Sequence, residues 1–253
     1  MAELNYAEVV DHLVNWIKKR VEKAGKKGGI VGLSGGIDSS VTAALLKRAF
    51  PENSFGLIMP CCSSPLDKQD AYLVSDKINM KAEEVDLNET FATMLSELKN
   101  IDPGEDKVAA GNIKPRLRMT ALYYLANRWD YLVVGTGNKS ELVTGYFTKY
   151  GDGAVDISPL ASLVKTEVRE LARELDIPES IIERRPSAGL WEGQTDEEEM
   201  GLSYEKIDEY ILEEEIEDEE AKEKIKELEN SSRHKVNTPP LPERDKLLEK
   251  AKN

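Results

Sequence analysis

The stretch Gly32-Leu33-Ser34-Gly35-Gly36-Ile37-Asp38-Ser39-Ser40 constrains this chain more than any other. It follows the apolar run Gly29-Ile30-Val31 and leads into Val41-Thr42-Ala43-Ala44-Leu45-Leu46, which has helical character. A strand, a loop of small residues and a helix start are expected in that order. Free backbone N–H groups and the positive end of the helix dipole converge at such a junction and favour phosphate. Gly35 and Gly36 allow positive φ and close backbone approach. Ser34, Ser39 and Ser40 add hydroxyl donors.

The loop matches neither Gly-x-x-x-x-Gly-Lys-Ser/Thr nor Gly-x-Gly-x-x-Gly, which disfavours an ATPase P-loop and a dinucleotide fingerprint. Asp38 lies inside it. A carboxylate there repels phosphate unless a divalent cation stands between them, so Asp38 reads as a Mg²⁺ ligand. The bland reading is a Gly-rich turn in which Asp38 and the serines cap a helix.

Apolar periodicity places the loop in a larger pattern. Val9, Val10, Leu13, Trp16, Ile17 and Val21 mark a helix over about 6–24. Strands are expected at 30–33, 54–59, 81–85 and 131–135, the third short and acidic as edge strands often are. Helices are expected at about 38–49, 67–78 and 89–98, and over 106–127 with a kink at Pro115. This alternation predicts an α/β fold, a Rossmann-like open parallel sheet with helices on both faces. Residues 144–158 and 184–195 break periodicity and are candidate lids over the site. Helices resume at about 166–175 and 179–183. The part from about 196 to 253 is helical and acidic, and its runs Asp196 to Glu199 and Glu213 to Glu220 read as a solvated helical face, within one domain spanning 1–253.

The chain carries 34 Lys and Arg against 48 Asp and Glu, a formal charge of −14. That argues against nucleic-acid binding through phosphates. The adjacent Cys61 and Cys62 form no disulfide framework and suit a reduced, cytoplasmic protein. No apolar run long enough for a membrane span is visible, and no membrane contact is expected.

The fourth strand leads into Gly135-Thr136-Gly137-Asn138-Lys139-Ser140-Glu141. Its carboxyl end is expected beside that of the first strand, where open sheets bind ligands. Thr136 then becomes a candidate ligand contact and Glu141 a candidate second Mg²⁺ ligand. Against the acidic background, Lys114, Arg116, Arg118, Lys149, Lys165, Arg233, His234 and Lys235 form a basic set suited to an anionic substrate.

The Ser-Gly-Gly-x-Asp-Ser pattern resembles the pyrophosphate loop of the ATP pyrophosphatases. Five further stretches narrow the resemblance: residues 111–119, Thr136 to Glu141, Gly145-Tyr146-Phe147-Thr148-Lys149-Tyr150-Gly151-Asp152-Gly153, Pro186 to Trp191, and Arg233-His234-Lys235. Together they resemble the ammonia-dependent NAD synthetases, most specifically through the aromatic loop. The resemblance implies that Gly32, Leu33, Ser34, Gly35, Gly36, Ile37, Asp38 and Ser39 hold ATP phosphates. It implies further ATP contacts from Thr136, Lys165 and Ser187, and Mg²⁺ on Asp38 and Glu141. Arg116, Lys149, Asp156, His234 and Lys235 would contact deamido-NAD, with Asp38, Lys165 and Lys149 closest to the chemistry.

The implied reaction joins deamido-NAD, ATP and ammonia through an acyl adenylate in a homodimer. Ser187 stands where the family usually has Thr, Pro115 where Ala is common, and Gly137 to Ser140 replace a frequent Asp-His stretch. A tRNA-thiolation enzyme or GMP synthetase domain shares the loop, but the acidic charge and sparse cysteines weigh against the former. A non-catalytic nucleotide-binding module need not retain Asp38, Glu141 and Lys165.

Overall fold

A computed structural model describes residues 4–191, 193–213 and 216–250. The chain runs α1 (Tyr6–Lys23), β1 (Gly28–Leu33), α2 (Ile37–Ala49), β2 (Ser54–Ile58), α3 (Pro65–Lys77), β3 (Ala82–Glu84) and α4 (Asn88–Lys99). It continues with α5 (Lys107–Gly111), α6 (Ile113–Trp129), β4 (Tyr131–Val133), α7 (Lys139–Thr144), α8 (Lys165–Glu174) and α9 (Glu179–Ile182). The last helices are α10 (Asp196–Met200), α11 (Tyr204–Glu213), α12 (Glu219–Val236) and α13 (Arg244–Lys250). Glu214 and Glu215 of the acidic run, and Glu192 of the 184–195 segment, lie outside the described residues.

The strands form one parallel sheet of order β3-β2-β1-β4, in which Ile30 faces Phe55 on one side and Val133 on the other. β3 is an edge strand, as its acidity suggested. Alternation along β1 sends Ile30 to one face, with Phe55, Leu57, Ala126 and Val133, under α6. Val31 and Leu33 point to the other face, where α1, α2 and α8 bury Val14, Ile17, Val41, Leu45, Leu46 and Leu171. At roughly 25 cal/mol per Å² these two apolar layers supply most of the drive to fold. A third cluster, with Tyr204, Ile207, Ile216 and Ile225, binds α10 to α12 together and reaches Val143 and Tyr146. The acidic part is amphipathic, with its apolar face packed in this cluster.

Local chemistry sets the element ends that matter for the site. Ser64 caps α3 in a capping box with Asp67, and Pro65 occupies its first turn. Asn138 and Glu141 form the same reciprocal box at the start of α7.

Two expectations change. The 106–127 run does not kink at Pro115; it divides at Asn112 into α5 and α6. Pro115 lies in the first turn of α6, where helix N–H groups lack intrahelical partners, so its missing donor bends nothing. The fourth strand is shorter than expected, and Val134 instead bridges Ile157 in parallel. The non-periodic 144–158 segment thus returns to line the outer edge of β4.

Candidate active site

The chain leaves β1 towards β2 and β3 on one side and returns to β4 on the other. The reversal opens a crevice above the carboxyl ends of β1 and β4, the place where open parallel sheets take ligands. The small-residue loop forms its floor. Ser34 N donates to Ser39 Oγ at 3.2 Å and Gly36 N to Ser34 Oγ at 3.2 Å. Ser39 and Ser40 Oγ both donate to Gly36 O, at 2.9 and 2.8 Å. Gly35 has φ +81°, and a Cβ there would meet Asp67 O at 2.3 Å. Only glycine fits where this loop rests on α3. Arg184 in turn bridges Asp67 and Asp70, tying the 184–195 segment to the back of the loop.

Asp38, in the first turn of α2, accepts from Asn138 Nδ2 at 2.9 Å and from Lys165 Nζ at 2.5 Å. The same ammonium lies 3.6 Å from Glu141 Oε1. Three separate elements deliver these charges: α2, α7 and α8. Lys165 opens α8, and its placement is enforced by Asp208. Asp208 accepts from Ser140 Oγ at 2.5 Å and from Thr166 N at 2.7 Å, while Lys165 N donates to Ser140 Oγ at 3.0 Å.

Burial pushes the Glu141 carboxyl up to about 8, reinforced by the neighbouring Asp38 charge and opposed by Lys165. Burial alone would lower Lys165, but the Asp38 and Glu141 carboxylates outweigh it and hold the ammonium above its ordinary value. The Lys165 ammonium also sits 4.9 Å from the centre of the buried Tyr204 ring. Tyr204 donates to Asp196 Oδ2 at 3.0 Å, and the other Asp196 oxygen is buried without a hydrogen-bond partner.

Among the described residues no group of three or more His, Cys, Asp or Glu side chains could hold a metal ion. Asp38 and Glu141 nevertheless converge on one cation, the Lys165 ammonium. Their oxygens fit a hard divalent ion that completes its shell with phosphate oxygens and water. Thr136 stands half-buried in the loop after β4. Exposed Ser187 accepts from Gly189 N at 3.1 Å, in a segment that passes Asp67 of α3.

A second set of charges lines the α6 side. Arg116 donates through Nε and Nη2 to Lys149 O, both at 3.3 Å, and Lys149 Nζ donates to His234 O at 2.5 Å. Lys235 Nζ donates to Gly145 O at 2.7 Å and Phe147 O at 3.0 Å. Burial lowers Lys235 below the usual lysine range. Lys114 donates to Leu190 O, and Arg118 to Met59 O and Ser63 Oγ. These five cations make no ion pair among the described residues.

Asp156 spends both oxygens on the fold, accepting from Val133 N at 2.7 Å and Tyr123 OH at 3.2 Å. The His234 carbonyl is used by Lys149, and its residue is exposed near the end of α12. Cys61 packs in the core beside Leu87, while Cys62 is exposed.

The model of the NAD synthase family matches residues 9–239. The chain is 51% identical to the NH(3)-dependent NAD(+) synthetase of Carboxydothermus hydrogenoformans over 94% of this chain and 98% of that one. The chain belongs to the NAD synthase family. Its structure is similar to that of an NMN synthetase from Francisella tularensis, with a TM-score of 0.90, 36% identity and coverage of 95% and 99%. It is also similar to an NH3-dependent NAD synthetase from Campylobacter jejuni, with a TM-score of 0.77, 29% identity and coverage of 95% and 100%.

Asp38, Glu141 and Lys165, each expected from the sequence, meet beside the small-residue loop. Sequence reasoning missed Asn138, Asp208 and Arg184, which hold them. Asn138 carried a signal, because Asn-x-x-Glu before a helix is a capping pattern. Asp208 and Arg184 act 42 and 114 to 117 positions away along the chain and left none.

Proposed function

We propose that the Gly32–Ser39 loop and the Asp38–Lys165–Glu141 cluster are where this ligase of the NAD synthase family binds ATP. There it amidates deamido-NAD with ammonia through an acyl adenylate, releasing AMP and pyrophosphate. The observation that carries the reading is the meeting of Asp38, Lys165 and Glu141 beside a phosphate-type loop at the switch point of the sheet.

Loop N–H groups and the serine hydroxyls bind phosphate oxygens, with Thr136 and Ser187 flanking them. Mg²⁺ held by Asp38 and Glu141 would supply neutralising charge to those oxygens. Lys165 directs its ammonium at the leaving pyrophosphate, an electrostatic role that needs no motion of protons. Arg116, Lys149, His234 and Lys235 bind the deamido-NAD phosphates, and Asp156, through Val133 N and Tyr123 OH, holds the edge of β4 beside the acceptor. Holding two anions in line removes much of the entropic barrier, and no protein nucleophile is required. The segments 144–158 and 184–195 exclude water from the adenylate.

The protein works as a cytoplasmic homodimer. Exposed Met94, Leu98 and Ile101, at 45%, 44% and 84%, form an apolar row on and just after α4, which buries none of its residues. No helix among the described residues is long and apolar enough to cross a membrane. The high similarity to an NMN synthetase favours a second acceptor, the corresponding mononucleotide acid.

The test is an end-point assay of NAD, AMP and pyrophosphate with ATP, Mg²⁺, deamido-NAD and ammonium, each omitted in turn. Joint formation of all products only in the complete mixture supports the reading. ATP binding without amide formation from either the dinucleotide or the mononucleotide acid rejects it.

A further inference from the structure

Two cations of the crevice have no role in the scheme above. Lys114 and Arg118 stand one turn apart on α6 and face the same side. Lys114 is 4% exposed; its ammonium donates to Leu190 O at 2.7 Å and lies 5.4 Å from the Phe91 ring. Arg118 donates to Met59 O at 3.1 Å and to Ser63 Oγ at 3.0 Å. Neither has a carboxylate in ion-pair range among the described residues. Burying a cation without a counter-charge is costly. The Asp152 and Asp67 carboxylates act on Arg118 only from beyond ion-pair distance, and Asp67 is already paired with Arg184.

The donors are also only partly used. Lys114 employs one of its three N–H bonds and Arg118 two of its five. Their tethers come from two loops that border the crevice, the one after β2 and the one carrying Ser187. We infer that Lys114 and Arg118 bind an anionic group of the substrates, a carboxylate or a phosphate. With Arg116, Lys149 and Lys235 they complete a wall of positive charge whose counter-ion is the substrate. The inference rests on the reading of this crevice as the substrate site.

Glutamine separates charge from tether, because its amide still donates to a carbonyl. K114Q and R118Q remove the charge; K114R and R118K keep it. Binding of ATP with Mg²⁺ and of deamido-NAD to the full chain is measured separately by calorimetry, with thermal midpoints recorded for every variant. The expected result is a dissociation constant for one substrate weakened on the order of tenfold or more in the Gln variants and largely restored in the charge-keeping ones. The substrate affected tells whether the anion belongs to ATP or to the acceptor. That constant also rises with salt more steeply in the wild type than in the Gln variants.

Unchanged binding in the Gln variants overturns the inference and leaves the cations as loop clips. Weakened binding that charge-keeping variants fail to restore overturns it as well. If a Gln variant does not fold, a wild-type affinity independent of salt overturns it. Wild-type NAD formation, measured alongside, separates this failure from failure of the reaction assignment.

Discussion

The two halves of the crevice treat charge in opposite ways. At the switch point a cation has its counter-charge: buried Lys165 pairs with Asp38, and Glu141 lies 3.6 Å from the same ammonium. On the α6 side Lys114, Arg116, Arg118, Lys149 and Lys235 hydrogen-bond only to carbonyl and hydroxyl oxygens, with no carboxylate in ion-pair range among the described residues. In the first half the cation is already paired within the protein. The second is open to anions from the start. A chain of net charge −14 attracts anionic substrates only if it keeps carboxylates away from one local surface.

The contrast predicts unequal responses to mutation. Lys165→Met is expected to have the largest effect. It removes the leaving-group charge and leaves Asp38 and Glu141 facing each other. Turnover should fall roughly 10²- to 10³-fold, and denaturant unfolding should show a loss of about 3 kcal/mol. A variant with full stability would show that the cluster is not self-compensated. Lys149→Gln or Lys235→Gln should raise the acceptor KM by about tenfold with little change in the thermal midpoint. Equal damage to stability would erase the distinction between the halves.

A pH titration sharpens it further. In the metal-free protein Glu141 keeps its proton up to about 8, whereas an unperturbed glutamate loses it near 4.5. Between those values the folded state binds more protons, so this contribution to stability is full below 4.5 and lost as pH rises through about 8. Thermal midpoints of the metal-free wild type should fall over that window, and Glu141→Gln should flatten the decline. Mg²⁺ needs the ionised carboxylate, so its affinity in the presence of ATP should strengthen with pH up to the same point. The smallest effect is expected from Ser64→Ala, which removes the cap of the helix backing the loop and should cost about 1 kcal/mol. A change in the ATP KM without loss of stability would show that α3 tunes the loop rather than merely supporting it.

Much of this was legible in the chain itself. The Gly-rich junction, the βα alternation and the acidic edge strand are local patterns, and the strand-loop-helix order needs only neighbours in sequence. The Pro115 kink was misread because a proline inside a helical run is harmless in a first turn, and that turn was set by a break at Asn112. The solvated face of the acidic part was legible from its glutamates, whereas the partners of Ile207, Ile216 and Ile225 on the opposite face were not.

The sequence by itself determined which groups this protein has available: a small-residue loop at a strand-helix junction, Asp38, Glu141 and Lys165, and a set of basic residues in an acidic chain. Local spacing encodes those identities. Tertiary structure alone decided their pairing. Asp38 meets Asn138 and Lys165 across 100 and 127 positions, and Arg184 secures the loop through α3. The same folding paired Lys165 with Asp38 and left Lys114, Arg116, Arg118, Lys149 and Lys235 without an ion pair among the described residues. Whether a charge is neutralised depends on what lies within a few ångströms in space, and no linear pattern records that distance.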